Sequence, residues 1–219
     1  MLSIAKRKTL TLLTLSRSKP SLEFWFEFAS SYSYLSVMRV EPLAREAGVE
    51  VAWRPFLLGP VFLALGWNDS PFNIYPPKGR YMWRDLARLA QGYGLPFRMP
   101  SRFPRSGLLA ARVALLGAGE PWIGDFTRSV MRANFADDQD IAAPGVIRGL
   151  LDGLGLPTDT LLEQAGQADT KLALQRQTAE ASELGIFGAP SFITPDGELF
   201  WGNDRLEDAL AWAANPPAA

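Results

Sequence analysis

The chain has 219 residues, 47% of them hydrophobic and 21% charged, with a formal net charge of −1; this is ordinary globular composition, and it points to neither a nucleic acid nor an anionic membrane as partner. It contains no Cys and no His. That excludes disulfide exchange, a protein thiolate, Cys-based metal sites and a Ser-His-Asp triad, so any chemistry must use hydroxyls, carboxylates, Lys, Arg, helix dipoles or an imported cofactor.

Residues 1–20 stand apart. They hold Lys6, Arg7, Lys8, Arg17 and Lys19 and no acid, which leaves 17 cations against 23 acids, a net −6, for the remainder. The segment reads as a basic N-terminal extension; its apolar stretch is short and broken by threonines, which matches a secretory signal poorly. No stretch reaches the 18 or so apolar residues of a membrane span. Residues 22–28 (LEFWFEF) alternate and are aromatic, which predicts a strand. Residues 29–34 are small and polar, 35–46 predict a helix ending near Gly48, and 50–56 predict a second strand, so the opening reads as a parallel strand–helix–strand unit. Residues 62–77, with Pro71, Pro76 and Pro77, read as irregular. Helical patterns follow at 79–93, 107–118, 122–133, 143–154, 158–165 and 170–184, the last with Asp169 and Thr170 at its start. Strands return at 191–194 and 198–201 around the turn Pro195-Asp196-Gly197, and a helix over 206–214 closes the chain. The layout is α/β: a sheet-forming part at 21–57 and 186–216, interrupted by a helical insertion at 58–185.

Two segments suggest chemistry. Phe28-Ala29-Ser30-Ser31-Tyr32-Ser33 joins the first strand to the first helix. Its serines either cap that helix or help to hold an anion at its positive end. Gly188-Ala189-Pro190-Ser191-Phe192 precedes the third strand, where Pro190 is either a trans proline opening an edge strand or a cis proline kept for geometry. Taken together, S-x-x-S at Ser30 and Ser33 and a proline loop before the third strand match the thioredoxin layout, with serine where redox relatives carry C-x-x-C.

The chain resembles the 2-hydroxychromene-2-carboxylate isomerases and the kappa-class glutathione transferases, thioredoxin-fold relatives of the disulfide oxidoreductase DsbA. The segments that carry the resemblance are EFASSYSYLS, WRPFLLG, PPKGRYMWRDLAR, YGLPF, GIFGAPSFI and ELFWGNDRLEDAL, which lie between residues 27 and 210 in the family's order, and the resemblance as a whole runs from about residue 22 to about residue 214. The resemblance implies a thioredoxin-like sheet with an inserted all-helical subdomain, and glutathione as cofactor. It implies that Ser30 is catalytic and faces the glutathione sulfur. Ala189, with Pro190, would pair with the cysteine moiety in strand-like fashion, and Asn203 and Asp204, on a loop shaped by Trp201 and Gly202, would hold the γ-glutamyl end. Lys78, Asn68 and Ser106 would face an aromatic carboxylate substrate. The implied reaction is cis–trans isomerisation of an aromatic unsaturated pyruvate by reversible thiolate addition, in a cytoplasmic homodimer.

Three departures from the family's pattern bear on this. Ser31 replaces the proline of S-P-Y-S, Phe62-Leu63-Ala64-Leu65-Gly66 stands where relatives carry F-K-A-T-G, and Ser106 stands where they carry asparagine. The glutathione half is therefore better kept than the substrate half. Two other readings are a kappa-like transferase or peroxidase using the same thiolate, and a non-catalytic thioredoxin-fold binding protein. For Asn203 and Asp204 the plain alternative is capping of the last helix.

Overall fold

A computed structural model describes residues 19–216; the basic extension, apart from Lys19 and Pro20, lies outside the described residues. The strands are β1 (Ser21–Phe26), β2 (Glu50–Pro55), β3 (Ser191–Ile193) and β4 (Leu199–Trp201), in the sheet order β2-β1-β3-β4. β1 pairs parallel with β2 and antiparallel with β3, and β3 pairs antiparallel with β4 across the expected turn, where Gly197 has a φ of +89°.

Ten α-helices accompany them: α1 (Ser31–Ala47) between β1 and β2, α2 (Leu58–Ala64), α3 (Pro71–Ile74), α4 (Pro76–Gly92), α5 (Leu108–Leu116), α6 (Ile123–Phe135), α7 (Pro144–Gly153), α8 (Thr158–Gly166) and α9 (Ala168–Glu183) between β2 and β3, and α10 (Leu206–Ala214) after a 3₁₀ turn at Asn203–Arg205. Among the described residues no helix is long and apolar enough to cross a membrane.

β1 is the centre of the core because its alternation serves two faces. Leu22, Phe24 and Phe26 are fully buried on one side, where Phe24 stacks on Phe192 at 5.1 Å and meets Trp53 at 5.4 Å. Trp25 faces the other side, against Phe56, Ala181 and Ile186. Glu23 on that strand accepts from Trp25 Nε1 at 3.0 Å and pairs with Arg54 at 2.5 Å.

Two expectations are corrected. Residues 62–77 are not irregular throughout: α2, α3 and the start of α4 occupy much of the segment, with Pro71 and Pro76 at first-turn positions, where a missing N–H costs nothing. The first helix begins at Ser31, four residues earlier than expected, because Ser31, Ser33 and Tyr34 are buried and packing overrides their modest helix propensity. Asp169 lies in the first turn of α9, whose N-cap is Gln167.

Candidate active site

Sheet topology brings distant segments to one edge. Register pairs Trp25 near the end of β1 with Ser191 at the start of β3, and Ser191 with Trp201 at the end of β4. The turn after β1, the proline loop before β3 and the loop after β4 therefore emerge side by side. They form one wall of a cleft of about 1280 Å³.

Ser30 is the N-cap of α1, largely buried, with extended backbone angles. Its Oγ accepts the Ser33 N–H at 3.2 Å and donates to the Ala189 carbonyl at 2.9 Å. Capping and contact with the proline loop are thus simultaneous, not alternatives. The cap fixes the rotamer, and the hydroxyl sits where the 17-residue helix presents its positive end. The Ala189–Pro190 peptide is cis, and the Pro190 carbonyl accepts the Gly202 N–H at 3.0 Å. Gly202 has φ +112° and ψ 151°, a region essentially reserved for glycine, and a Cβ there would also come within 2.5 Å of Asp204 Oδ1. The backbone dictates that residue.

All ten residues singled out in the sequence line this cleft. Asn203 and Asp204 behave differently from one another. The Asn203 side chain is 2% exposed. Its Oδ1 accepts from Ser36 Oγ at 3.1 Å and Arg39 Nη1 at 3.2 Å, and its Nδ2 donates to Tyr93 OH at 3.3 Å. Arg39 also lies over the Tyr93 ring at 3.8 Å. Asn203 therefore ties the loop to α1 and α4. The Asp204 side chain is 75% exposed and only loosely paired with Arg205 at 3.7 Å. Neither side chain caps α10. Asn203→Ala should cost about 1–3 kcal/mol of stability without any ligand, because it leaves buried donors from Ser36 and Arg39 unmatched; denaturant titration of the ligand-free protein measures it.

Much of the remaining lining is apolar and aromatic: Phe62, Leu63, Trp67, Phe72, Phe103 and Phe187, with Phe62 against Trp67 and Phe187 against Trp201. Leu63 and Leu65 are 68% and 50% exposed. Lys78, Asn68 and Ser106 are exposed in the same lining; the Lys78 ammonium lies 5.6 Å from the Tyr75 ring, and Ser106 Oγ accepts the Leu108 N–H at 3.4 Å. Tyr32 donates to Asp85 at 3.0 Å, and burial followed by that carboxylate pushes its phenol well above the ordinary range.

Two groups were not anticipated from sequence. Glu27 is 8% exposed yet lines the cleft. Its Oε2 accepts the Ala29 N–H at 3.0 Å, and burial, opposed by the Ala29 and Ser30 N–H groups, pushes its carboxyl up to about 8. The available signal was an acid among aromatic residues, three positions before Ser30. Arg105 is 4% exposed; its guanidinium reaches Asn134, Ser101 and Asp138, and it fixes the loop at 103–108.

Against known proteins, the model of the DsbA-like thioredoxin domain matches residues 21–211. A 2-hydroxychromene-2-carboxylate isomerase of Sphingobium xenophagum is 32% identical over 192 residues, covering 85% of this chain and 94% of that protein. Glutathione S-transferase kappa 2 of Caenorhabditis elegans is 26% identical, covering 89% and 92%. A solved structure of 2-hydroxychromene-2-carboxylate isomerase superposes with a TM-score of 0.75 at 25% identity, covering 85% and 90%. The serine at the helix start, the proline loop beside it and this agreement over nearly the whole described chain lead to one conclusion: the chain belongs to the DsbA-like thioredoxin family, in the group of the 2-hydroxychromene-2-carboxylate isomerases and kappa-class glutathione transferases.

Proposed function

We propose that the protein is a glutathione-dependent cis–trans isomerase of 2-hydroxychromene-2-carboxylate or a similar aromatic unsaturated pyruvate. The observation that carries this reading is Ser30: a hydroxyl fixed at the positive end of α1, 2.9 Å from the Ala189 carbonyl, in a chain with neither Cys nor His. Such a place stabilises a thiolate by the logic that activates cysteines at helix N-termini, and here the sulfur must come from a cofactor. The Ala189 backbone offers strand-like pairing to a peptide, and the exposed Asp204 carboxylate suits the γ-glutamyl ammonium. Asn203 serves that end by holding the loop in place. The cleft exceeds the roughly 300–1,000 Å³ of a single small-ligand site, which supports glutathione and an aromatic co-substrate bound together.

On this reading the thiolate adds to the conjugated alkene, the resulting single bond rotates, and elimination returns the trans alkene. The protein's own work is to lower the thiol pKa and to hold the two partners in register. Lys78 and Asn68, both exposed on the cleft lining, would meet the substrate carboxylate while Phe103 and the other aromatic lining residues take the rings. The same reading suits the cytoplasm, where thiols are kept reduced. The exposed Leu63 on the cleft lining favours a second reading, a kappa-like transferase acting on varied apolar electrophiles.

The test is calorimetric titration of wild type and Ser30→Ala with glutathione, followed by turnover of the chromene acid with and without it. The expected result is glutathione binding by both proteins and a loss of turnover on the order of 10²-fold in the variant, because the Ser30 hydroxyl, which donates to the Ala189 carbonyl in the ligand-free protein, turns its proton to the bound thiolate and is its side-chain donor there. Undiminished glutathione-dependent turnover in Ser30→Ala would remove Ser30 from the mechanism. Absence of binding to wild type at millimolar glutathione would favour the non-catalytic reading.

A further inference from the structure

Among the described residues, Glu27 is the one deeply buried carboxyl that lines the cleft, and the steps above leave it unused. It occupies the seam between the two halves of the site. Its backbone carbonyl accepts the Ser30 N–H at 3.0 Å, so it belongs to the turn that presents the serine. Its other side faces the loop at 103–108. A Cβ on Gly107 would stand 2.7 Å from Phe28 Cβ, so glycine is what lets that loop pack against Phe28, and the same point lies 3.5 Å from Glu27 Oε1, which puts the loop in van der Waals reach of the carboxyl. One side chain therefore meets both the turn that presents Ser30, through the Ala29 N–H at 3.0 Å, and the loop that carries Ser106 and Gly107, and all of these line the cleft.

We propose, on the thiolate-addition reading, that Glu27 is a catalytic general acid and base: its carboxyl gives a proton to the enolate oxygen formed when the glutathione thiolate adds, and takes that proton back on elimination. The sulfur–carbon bond forms as the alkene pair moves onto the carbonyl oxygen, and the Glu27 O–H bond breaks as the enol O–H forms. After rotation, the Glu27 carboxylate removes the enol proton, the alkene reforms and the thiolate leaves. Nothing is oxidised or reduced, and no proton is lost to water.

The surroundings favour a protonated acid at neutral pH. The proline loop at 188–190 brings no titratable group. The first turn of α1 brings Tyr32, whose hydroxyl is committed to Asp85. The loop at 103–108 brings Arg105, whose guanidinium is committed to Asp138, Asn134 and Ser101. The end of α6 brings the neutral Asn134, which donates to the Phe28 carbonyl at 3.1 Å. Lys78, Arg205, Asp69 and Asp204 also line the cleft, all of them exposed. Burial decides the ionisation, and a carboxyl pushed up to about 8 is an acid near the operating pH.

The experiment compares wild type with Glu27→Gln, which keeps shape but has no transferable proton. Glutathione affinity by calorimetry should change less than about twofold, while chromene-acid turnover should fall by about 10²-fold or more. In wild type, kcat should decline at or above about pH 8, and this alkaline limb should vanish in the variant. Wild-type turnover in Glu27→Gln overturns the proposal while leaving the thiolate reading intact. If the variant fails to fold, the wild-type profile decides: kcat that does not decline up to pH 9.5 overturns it. If wild type binds no glutathione, the thiolate reading falls first, and this proposal with it.

Discussion

Arg105→Met should cost about 2–3 kcal/mol of folding stability and raise the KM for the co-substrate while sparing glutathione affinity. Arg105 is 4% exposed. Its Nη1 donates to the Asn134 carbonyl at 3.3 Å and Oδ1 at 3.2 Å, and its Nη2 donates to Ser101 Oγ at 3.1 Å and Asp138 Oδ1 at 2.5 Å. Methionine fills much of the volume but takes the guanidinium donor from the buried Asn134 side-chain oxygen and the charged partner from Asp138, which keeps only its bonds from Ser101 N–H at 2.8 Å and Oγ at 3.0 Å; an unmade buried hydrogen bond costs more than a made one gains. The pair is not sealed from water, since the Asp138 side chain keeps 13% exposure, so the loss should fall below that of a fully buried ion pair. The Ser101 N–H and then Arg105 hold the Asp138 carboxyl down at about 2. A lowered folded-state value gives stability that is present above the ordinary carboxylate pKa and lost as pH falls through the lowered one. The acid limb between about pH 4 and 2 should therefore be shallower in the variant. Urea titrations at pH 7 and 3, with a separate KM and Kd for each ligand, test all three points. A variant as stable as wild type would show that the guanidinium merely fills space.

The sheet was legible because its signals are local: alternation in β1, a Pro-Asp-Gly turn between β3 and β4, and a helix over 206–214 found with the same bounds. The site was legible for a different reason. Ser30, Pro190 and the loop after Trp201 are separated by up to about 170 residues, and only the family's ordered motifs placed them together. The sheet then supplies the physical cause, since β1, β3 and β4 are neighbours and release those loops at one edge. Glu27 and Arg105 escaped because nothing near them in sequence shows burial. Arg105 meets Asn134 and Asp138 from 29 and 33 residues away, and Glu27 is covered by a loop about 80 residues on. The role of Asn203 was half visible: its place on the loop follows from the motif, but its engagement by Ser36, Arg39 and Tyr93 depends on how α1 and α4 pack.

Folding stability should fall as pH rises from about 4.5 to 8, and Glu27→Gln should abolish most of that fall. The Glu27 carboxyl has an ordinary value of 4.5 and is pushed up to about 8 by burial. In that window the folded protein holds a proton that the unfolded chain releases, so stability declines with pH: it is fully present below about 4.5 and lost as pH passes 8. Each unit of difference corresponds to about 1.4 kcal/mol, so the full effect is on the order of 5 kcal/mol. The chain's composition makes this unusually clean. With no His, no other side-chain type has its ordinary pKa between 5 and 8. The lowered carboxylates Asp138 and Asp196 titrate below the window, and the raised phenols Tyr32 and Tyr34 titrate above it. Urea titrations at pH 5 and 8 on wild type and Glu27→Gln give the answer directly. Wild type should be several kcal/mol less stable at pH 8, whereas the variant should change little. If the two proteins show the same dependence, Glu27 is not the buried neutral acid on which general-acid chemistry at this site depends.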